Sequence, residues 1–375
     1  MLASILALLL ALSSVALAVP VVAGWRRGGR VAARTVTGRS ALVAVPIPRG
    51  DEPRRALARS IAATAHDGPL ALRVAIPAGE EAGVRWAEEA RKAAPALETR
   101  VLGAAPCGRS VPRSALAADA VEDPAADVIA VVDPRSCPAA RDLARMLACP
   151  RDGDGALATA VPVPGAGARA LGTAAALAAS DLAPLAAAAC GPAGRFGLLA
   201  AGTRAAWEAA SRDPLAANRP SLAMAAALHA GRDAVLVPVP AAITAGREGR
   251  VLAEFGSVLW RTVPARTAWV AAALAALPVA LAAAAFAQGP ARTVAAVAVL
   301  LAWTARVVAA LTWSREVRGA TAGWISAAAA PVRDAVALVL LLASLAVRRV
   351  ECGGQRFEVR GGGVWVPAGG RRGEG

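Results

Sequence analysis

No charged residue interrupts the chain between Leu2 and Gly24, and apolar residues crowd it again after Arg266. These two regions constrain the fold more than anything else in the sequence. A helix rising about 1.5 Å per residue covers a hydrocarbon core of roughly 30 Å in about twenty residues, so the first run predicts a spanning helix. A cleaved signal peptide is the competing reading, because VALA before Val19 resembles a small-residue cleavage site. Against it, Met1 alone precedes the run and supplies no basic segment. Arg26, Arg27, Arg30, Arg34 and Arg39 follow at once, and a basic flank is retained in the cytosol. The expected topology puts the N-terminus outside and the residues that follow inside.

The later runs are Thr267 to Gly289, with Pro278 as a kink near its centre, and Thr293 to Ser314, which carries Arg306 past its midpoint. Arg306 is read as snorkelling to the cytoplasmic side. A last apolar stretch, Ala335 to Val347, is shorter than a span. It is re-entrant or interfacial, or it crosses with Arg333 and Asp334 paired at its entrance; the non-crossing arrangement is favoured because Arg348 and Arg349 prefer the inside. The expected organisation is an N-terminal anchor (1–25), a cytosolic domain (40–264), a C-terminal membrane region (265–350) and a short tail (351–375). Such a chain is a multi-pass protein of the cytoplasmic membrane.

The 57% of hydrophobic residues is largely alanine, and Lys92 is the single lysine among 41 basic residues, a bias that says little about mechanism. The net charge of +14 is informative. Arginines gather beside the membrane segments, where an anionic leaflet attracts each by about 1 kcal/mol. Nucleic-acid binding is excluded as the meaning of that charge, since aromatics are 3%, Tyr is absent and no basic stripe interleaves with stacking residues. Five cysteines without C-x-x-C spacing fit reduced thiols and not a zinc site.

Between Ser40 and Pro264 short apolar runs alternate with helix-like stretches. Strands are predicted at Leu42 to Pro46, Leu70 to Ile76, Arg100 to Leu102, Val128 to Val132, Ala156 to Val161, Gly197 to Ala200 and Ala234 to Val237. Helices are predicted at Glu52 to Ala65, Glu80 to Ala93 and Pro138 to Leu147, with Asp51 as an N-cap. This rhythm implies an α/β domain with a mainly parallel sheet covered on both faces. Ligands of such sheets sit at the carboxyl ends of the strands, which selects three places. The first strand runs into a stiff loop, Pro46 to Asp51, with Pro48 inside it. The second ends before Glu80 and Glu81, whose carboxylates either meet a base or ribose or complement a helix dipole. The fourth ends at Asp133, placed to hold a divalent cation against a diphosphate.

These segments carry a family resemblance. VAVPIPRGDEPRRALARSI, IPAGEEAG, VVDPRSCP and the closing PVRDAVALVLLLASLAVRRVECGGQRFEVRGGG resemble, in that order, the motifs of family 2 glycosyltransferases of the ceramide glucosyltransferase type, including the hopanoid-associated bacterial members. The resemblance implies a GT-A-like, nucleotide-diphospho-sugar transferase fold that moves a hexose from a nucleotide sugar to a membrane lipid, with Mg or Mn as cofactor. Mapped onto this chain, the implied donor-site residues are Pro46, Pro48, Glu81 and Asp133, with Asp133 as the metal ligand, and Arg219 and Arg261 are candidates to neutralise a leaving diphosphate. Departures from the pattern are equally specific. Arg135 stands where a second metal acid is expected, Asn218 and Arg219 where a general base is expected, and SVLW (Ser257 to Trp260), with Arg261 one position late, replaces the Q-x-x-R-W motif. Neither Asn218 nor Arg219 accepts a proton at neutral pH. Glu208, Asp213 and Glu254 are the possible substitutes, Asp213 the first choice. The alternative is a catalytically inactive relative serving as a membrane scaffold or partner subunit.

Overall fold

The computed structural model describes residues 1–34, 38–48, 53–77, 80–93, 95, 98–104, 113–121, 126–151, 155–165, 167–195, 197–213, 219, 221–318, 324–325, 327–352 and 355–368. Helix α1 (Leu2–Ala33) leads into a seven-stranded sheet of β1 (Ala41–Pro46), β2 (Leu70–Pro77), β3 (Glu98–Ala104), β4 (Val128–Val132), β5 (Leu157–Pro164), β6 (Leu199–Thr203) and β7 (Ala234–Ile243). Their spatial order is β3-β2-β1-β4-β6-β5-β7, and β6 alone runs antiparallel to its neighbours. All seven overlap the segments predicted from the apolar pattern.

The strands read as continuous apolar runs because both faces of the sheet are covered. Val43 and Val45 of β1 and Val128, Ala130 and Val132 of β4 enter one core, while Leu42, Ala44, Ile129 and Val131 enter the other. That alternation follows the two-residue period of a strand. The intervening helices are α2 (Arg55–Ala62), α3 (Glu81–Ala93), α4 (Arg113–Val121), α5 (Ala140–Ala148), α6 (Ala170–Cys190), α7 (Arg204–Ser211), α8 (Leu222–Ala230) and α9 (Glu248–Thr262). Asp51, the predicted cap of α2, lies outside the described residues.

Among the described residues, four helical stretches are long and apolar enough to cross a membrane: Leu2–Ala33, Gly172–Gly194, Pro264–Phe286 and Pro290–Arg318. The chain is a membrane protein. Helix α1, with α10 (Pro264–Phe286) and α11 (Pro290–Arg318), forms a bundle whose core is alanine-rich, including Ala7, Ala11, Ala276, Ala280, Ala298 and Ala302. Small side chains let such helices approach closely. The buried positions of α1, from Ser4 through Ala7, Ala11, Ser14 and Leu17 to Val21, recur every three or four residues, as one helical face requires. The stretch Gly172–Gly194, to which the sequence reading gave no element, is different: 72% of it is buried, and α6 packs on β5 and against α1 and α9. It is apolar all round because protein surrounds it.

Two contacts fix the membrane helices to the domain. A Cβ on Gly28 would lie 2.1 Å from the Leu236 carbonyl oxygen, so α1 lies directly on the backbone of β7. A Cβ on Gly256 would lie 2.3 Å from Ser344 Oγ, where α9 meets α12 (Ala330–Ala346). After α12 the chain forms a small antiparallel sheet of β8 (Arg349–Cys352), β9 (Gln355–Val359) and β10 (Trp365–Pro367). Val350, Cys352, Phe357, Val359 and Trp365 of that sheet share a core with Met224 of α8 and Val258 of α9. The tail therefore sits on the α/β domain, on the same side of the membrane bundle. Arg306 corrects the snorkelling expectation: it is buried and paired with Asp334.

Candidate active site

Asp133 follows β4 directly, and its N–H donates to the Leu198 carbonyl at 2.9 Å, holding the turn to the start of β6. Ser136 closes that turn by donating its hydroxyl to the carbonyls of Asp133 and Leu198, each at 2.9 Å. The residue between them decides the electrostatics. Arg135 donates its Nε to Asp133 Oδ1 at 3.0 Å and its Nη2 to Oδ2 at 2.9 Å. Its Nη1 donates to Glu254 Oε2 at 2.5 Å, and Glu254 Oε1 accepts from Arg250 Nε at 3.1 Å. Burial opposes the Arg135 charge, but Asp133 and Glu254 outweigh it and hold its pKa well above the ordinary arginine value. The result is a chain of alternating charges, with Asp133, Arg135 and Glu254 buried and Arg250 half-exposed at its end.

A narrow cleft with about 50 Å³ of free space runs along this chain, bounded also by Arg195, Ser221, Met224 and Val258. Across the turn from it lies a larger cavity of about 590 Å³, lined by Arg54, Ser60, Cys137, Asp142, Gly165 and Thr244. Burial raises the Asp142 carboxyl above its usual range, with Arg141 and Arg145 acting against it. The larger cavity has the size of a small-molecule site.

The donors at Asp133 do not fit a divalent cation. Both carboxylate oxygens are engaged by one guanidinium, a positive charge already fills the space a cation would need, and among the described residues no group of three His, Cys, Asp or Glu side chains converges. Asp133, expected to hold a metal, is held instead by Arg135 in this structure.

The other expected residues scatter. Pro46 closes β1 and Pro48 is buried just beyond it, but neither lines the cleft, and Glu81 is exposed in the first turn of α3. Arg219 donates to the Gly362 carbonyl of the tail. Arg261 also turns toward the tail: its pKa is lowered by burial and by Arg348, while Glu358 acts in the opposite direction. Asp213 does not line the cleft, and Asn218 lies outside the described residues. The carboxylate that shares the cleft with Asp133 is Glu254. Arg195 gave no sequence signal, because a lone arginine between a glycine-rich turn and a strand belongs to no pattern.

The wall of the cleft connects this geometry to known proteins, since Val258 lines it and also anchors the tail sheet. Residues 258–365 match the family model Glycosyl transferase family 21. That segment is the end of α9, the helices α10 to α12 and the tail sheet, and it contains the closing stretch of the resemblance, residues 331–363. No curated protein sequence matches the chain. Among solved structures it is similar to the mannosyltransferase PcManGT from Pyrobaculum calidifontis in complex with GDP-Man and Mn2+, at 15% identity over 92% of this chain and 99% of that one, with a TM-score of 0.36. It is also similar to S. aureus TarS 1-349, at 9% identity over 87% of this chain and 98% of that one, with a TM-score of 0.34.

Proposed function

We propose that the protein is a membrane-anchored, GT-A-like glycosyltransferase that passes a hexose from a nucleotide-diphosphate sugar to a lipid hydroxyl where its α/β domain meets the cytoplasmic face of the membrane. One observation carries this reading. The segment matching the glycosyltransferase family builds the C-terminal apolar helices and also, through Val258, part of the wall of the cleft that holds Asp133 and Glu254. Both cavities lie at strand ends, where ligands of mainly parallel sheets bind.

In this reading the nucleotide occupies the larger cavity beside Arg54, and the reacting end of the donor reaches the cleft. The lipid oxygen attacks the anomeric carbon, the bond to the diphosphate breaks with its electron pair going to the diphosphate, and the hydroxyl proton passes to a carboxylate. Arg135, Arg195 and Glu254 line the cleft: the guanidinium groups offset the charge of the departing diphosphate and Glu254 is the proton acceptor. No step requires a metal.

A second reading is favoured by the Arg135 contact itself. Because the carboxylates of the cleft are already tied to guanidinium groups, the protein serves as an inactive scaffold that still holds nucleotide sugar. Both readings are tested with the full chain in lipid nanodiscs, by following transfer of label from a panel of nucleotide sugars into the lipid fraction. Slow but enzyme-dependent labelling is expected. Thermal protection by a nucleotide sugar without any labelling would establish the scaffold reading, and the absence of both would overturn the two together.

A further inference from the structure

Arg195 lies between the cleft and a second cavity of about 530 Å³, which is walled by Pro20, Gly24 and Arg27 of α1, Pro184 of α6, Arg195 itself and Arg232. Each of the two helices contributes its internal proline to the wall, where the ring removes a helical hydrogen bond. The rest of the wall is apolar, and no acidic side chain among the described residues lines it.

The state of Arg195 shows what this space lacks. The residue is 9% exposed; its Nη2 donates to the Ala234 carbonyl at 2.5 Å, while Nε and Nη1 are buried with no hydrogen-bond partner among the described residues. Burial, and then the neighbouring Arg27, push its pKa down to about 10. A buried guanidinium with two unmatched nitrogens, facing a second arginine, is costly unless an anion completes it. The cavity also lies where the apolar run of α1 becomes basic, the part of a spanning helix that faces anionic headgroups.

We propose that this cavity binds the phosphate head of an anionic membrane lipid, seated against Arg195, Arg27 and Arg232. Its further role as the acceptor pocket, open to the cleft through Arg195, rests on the transferase reading above; the binding does not.

The test uses the full chain in nanodiscs of phosphatidylcholine, with phosphatidylglycerol added and its retention counted by native mass spectrometry, in the absence of donor sugar. Phosphatidylglycerol should be retained in preference to phosphatidylcholine, and Arg195→Gln should weaken retention roughly tenfold to a hundredfold, the share of charge-assisted bonds to phosphate. Arg26→Gln removes an exposed arginine that does not line the cavity and should cost at most about fivefold, as a surface charge does. Arg27→Gln gives the same reading as Arg195→Gln if that variant does not fold. Equal losses from Arg26→Gln and Arg195→Gln, or no preference for the anionic lipid, would overturn the site. Displacement of the lipid by millimolar inorganic phosphate would overturn the lipid and leave a free-anion site. Intact lipid retention without sugar transfer would count against the transferase reading alone.

Discussion

Arg306 of α11 and Asp334 of α12 form a bidentate pair inside the membrane region, with Nε at 2.5 Å from Oδ2 and Nη2 at 2.7 Å from Oδ1; they are 2% and 0% exposed. Arg333 beside it pairs with Asp181 of α6 at 2.8 Å, and Arg318 of α11 reaches the same Asp181 at 3.2 Å. The short helix α12 is thus tied to both α11 and α6. Removing one partner of a buried pair leaves an uncompensated charge, which costs about 3–5 kcal/mol. Asp334→Leu should therefore lower the thermal midpoint of the protein in detergent, and Arg306→Met added to it should recover much of the loss. Equal midpoints for Asp334→Leu and the unmodified chain would show that the pair is not holding α12.

Because the tail sheet shares a core with α8 and α9, it and the α/β domain lie on one side of the membrane bundle. Arg360→Cys in the tail and Arg141→Cys in the domain, both at exposed positions, should respond alike to a membrane-impermeant thiol reagent applied to intact cells. The positive-inside flank of α1 adds that both stay unlabelled until the membrane is opened. Labelling of the tail alone from outside would show that α12 crosses.

The bidentate contact of Arg135 with Asp133 makes a definite prediction about metals. Protection of the protein by a nucleoside diphosphate against thermal unfolding should be unchanged by EDTA. Arg135→Ala should leave Asp133 and Glu254 facing each other without their guanidinium, lower the midpoint, and create a response to Mn2+ that the unmodified chain lacks. Loss of protection in EDTA with Arg135 in place would restore a metal to Asp133.

Glu254 and Asp213 separate by position, since only Glu254 lines the cleft. Removing a proton acceptor typically costs roughly 100- to 10,000-fold in rate. Glu254→Gln keeps the side chain's volume and one acceptor for Arg135 but turns an NH2 toward Arg250, so it should reduce transfer by that range while lowering the thermal midpoint. Asp213→Asn should change transfer less than about threefold, the reverse of the order the sequence suggested. A large loss in Asp213→Asn alone would return the role to that residue.

The sequence by itself determined the elements whose signal is local. Seven apolar runs became seven strands, with central strands such as β1 and β4 buried on both faces, and α1, α10 and α11 followed from length and sustained apolar character. The place of Asp133 at the end of β4 was equally legible, because strand ends follow from the run itself. What Asp133 does there was not. Arg135 is two residues away in sequence, but the Glu254 that completes its contact is 119 residues away, and only the approach of α9 to the β4 turn brings the three together. The same holds for Arg306, whose partner Asp334 is 28 residues distant, and for Arg195, which owes its burial to the packing of the domain around it. A charge's surroundings are set by segments remote in the chain. Hydrophobic period therefore predicts where a backbone runs, whereas the tertiary contacts alone decide whether an arginine there is solvated, paired or left waiting for an anion.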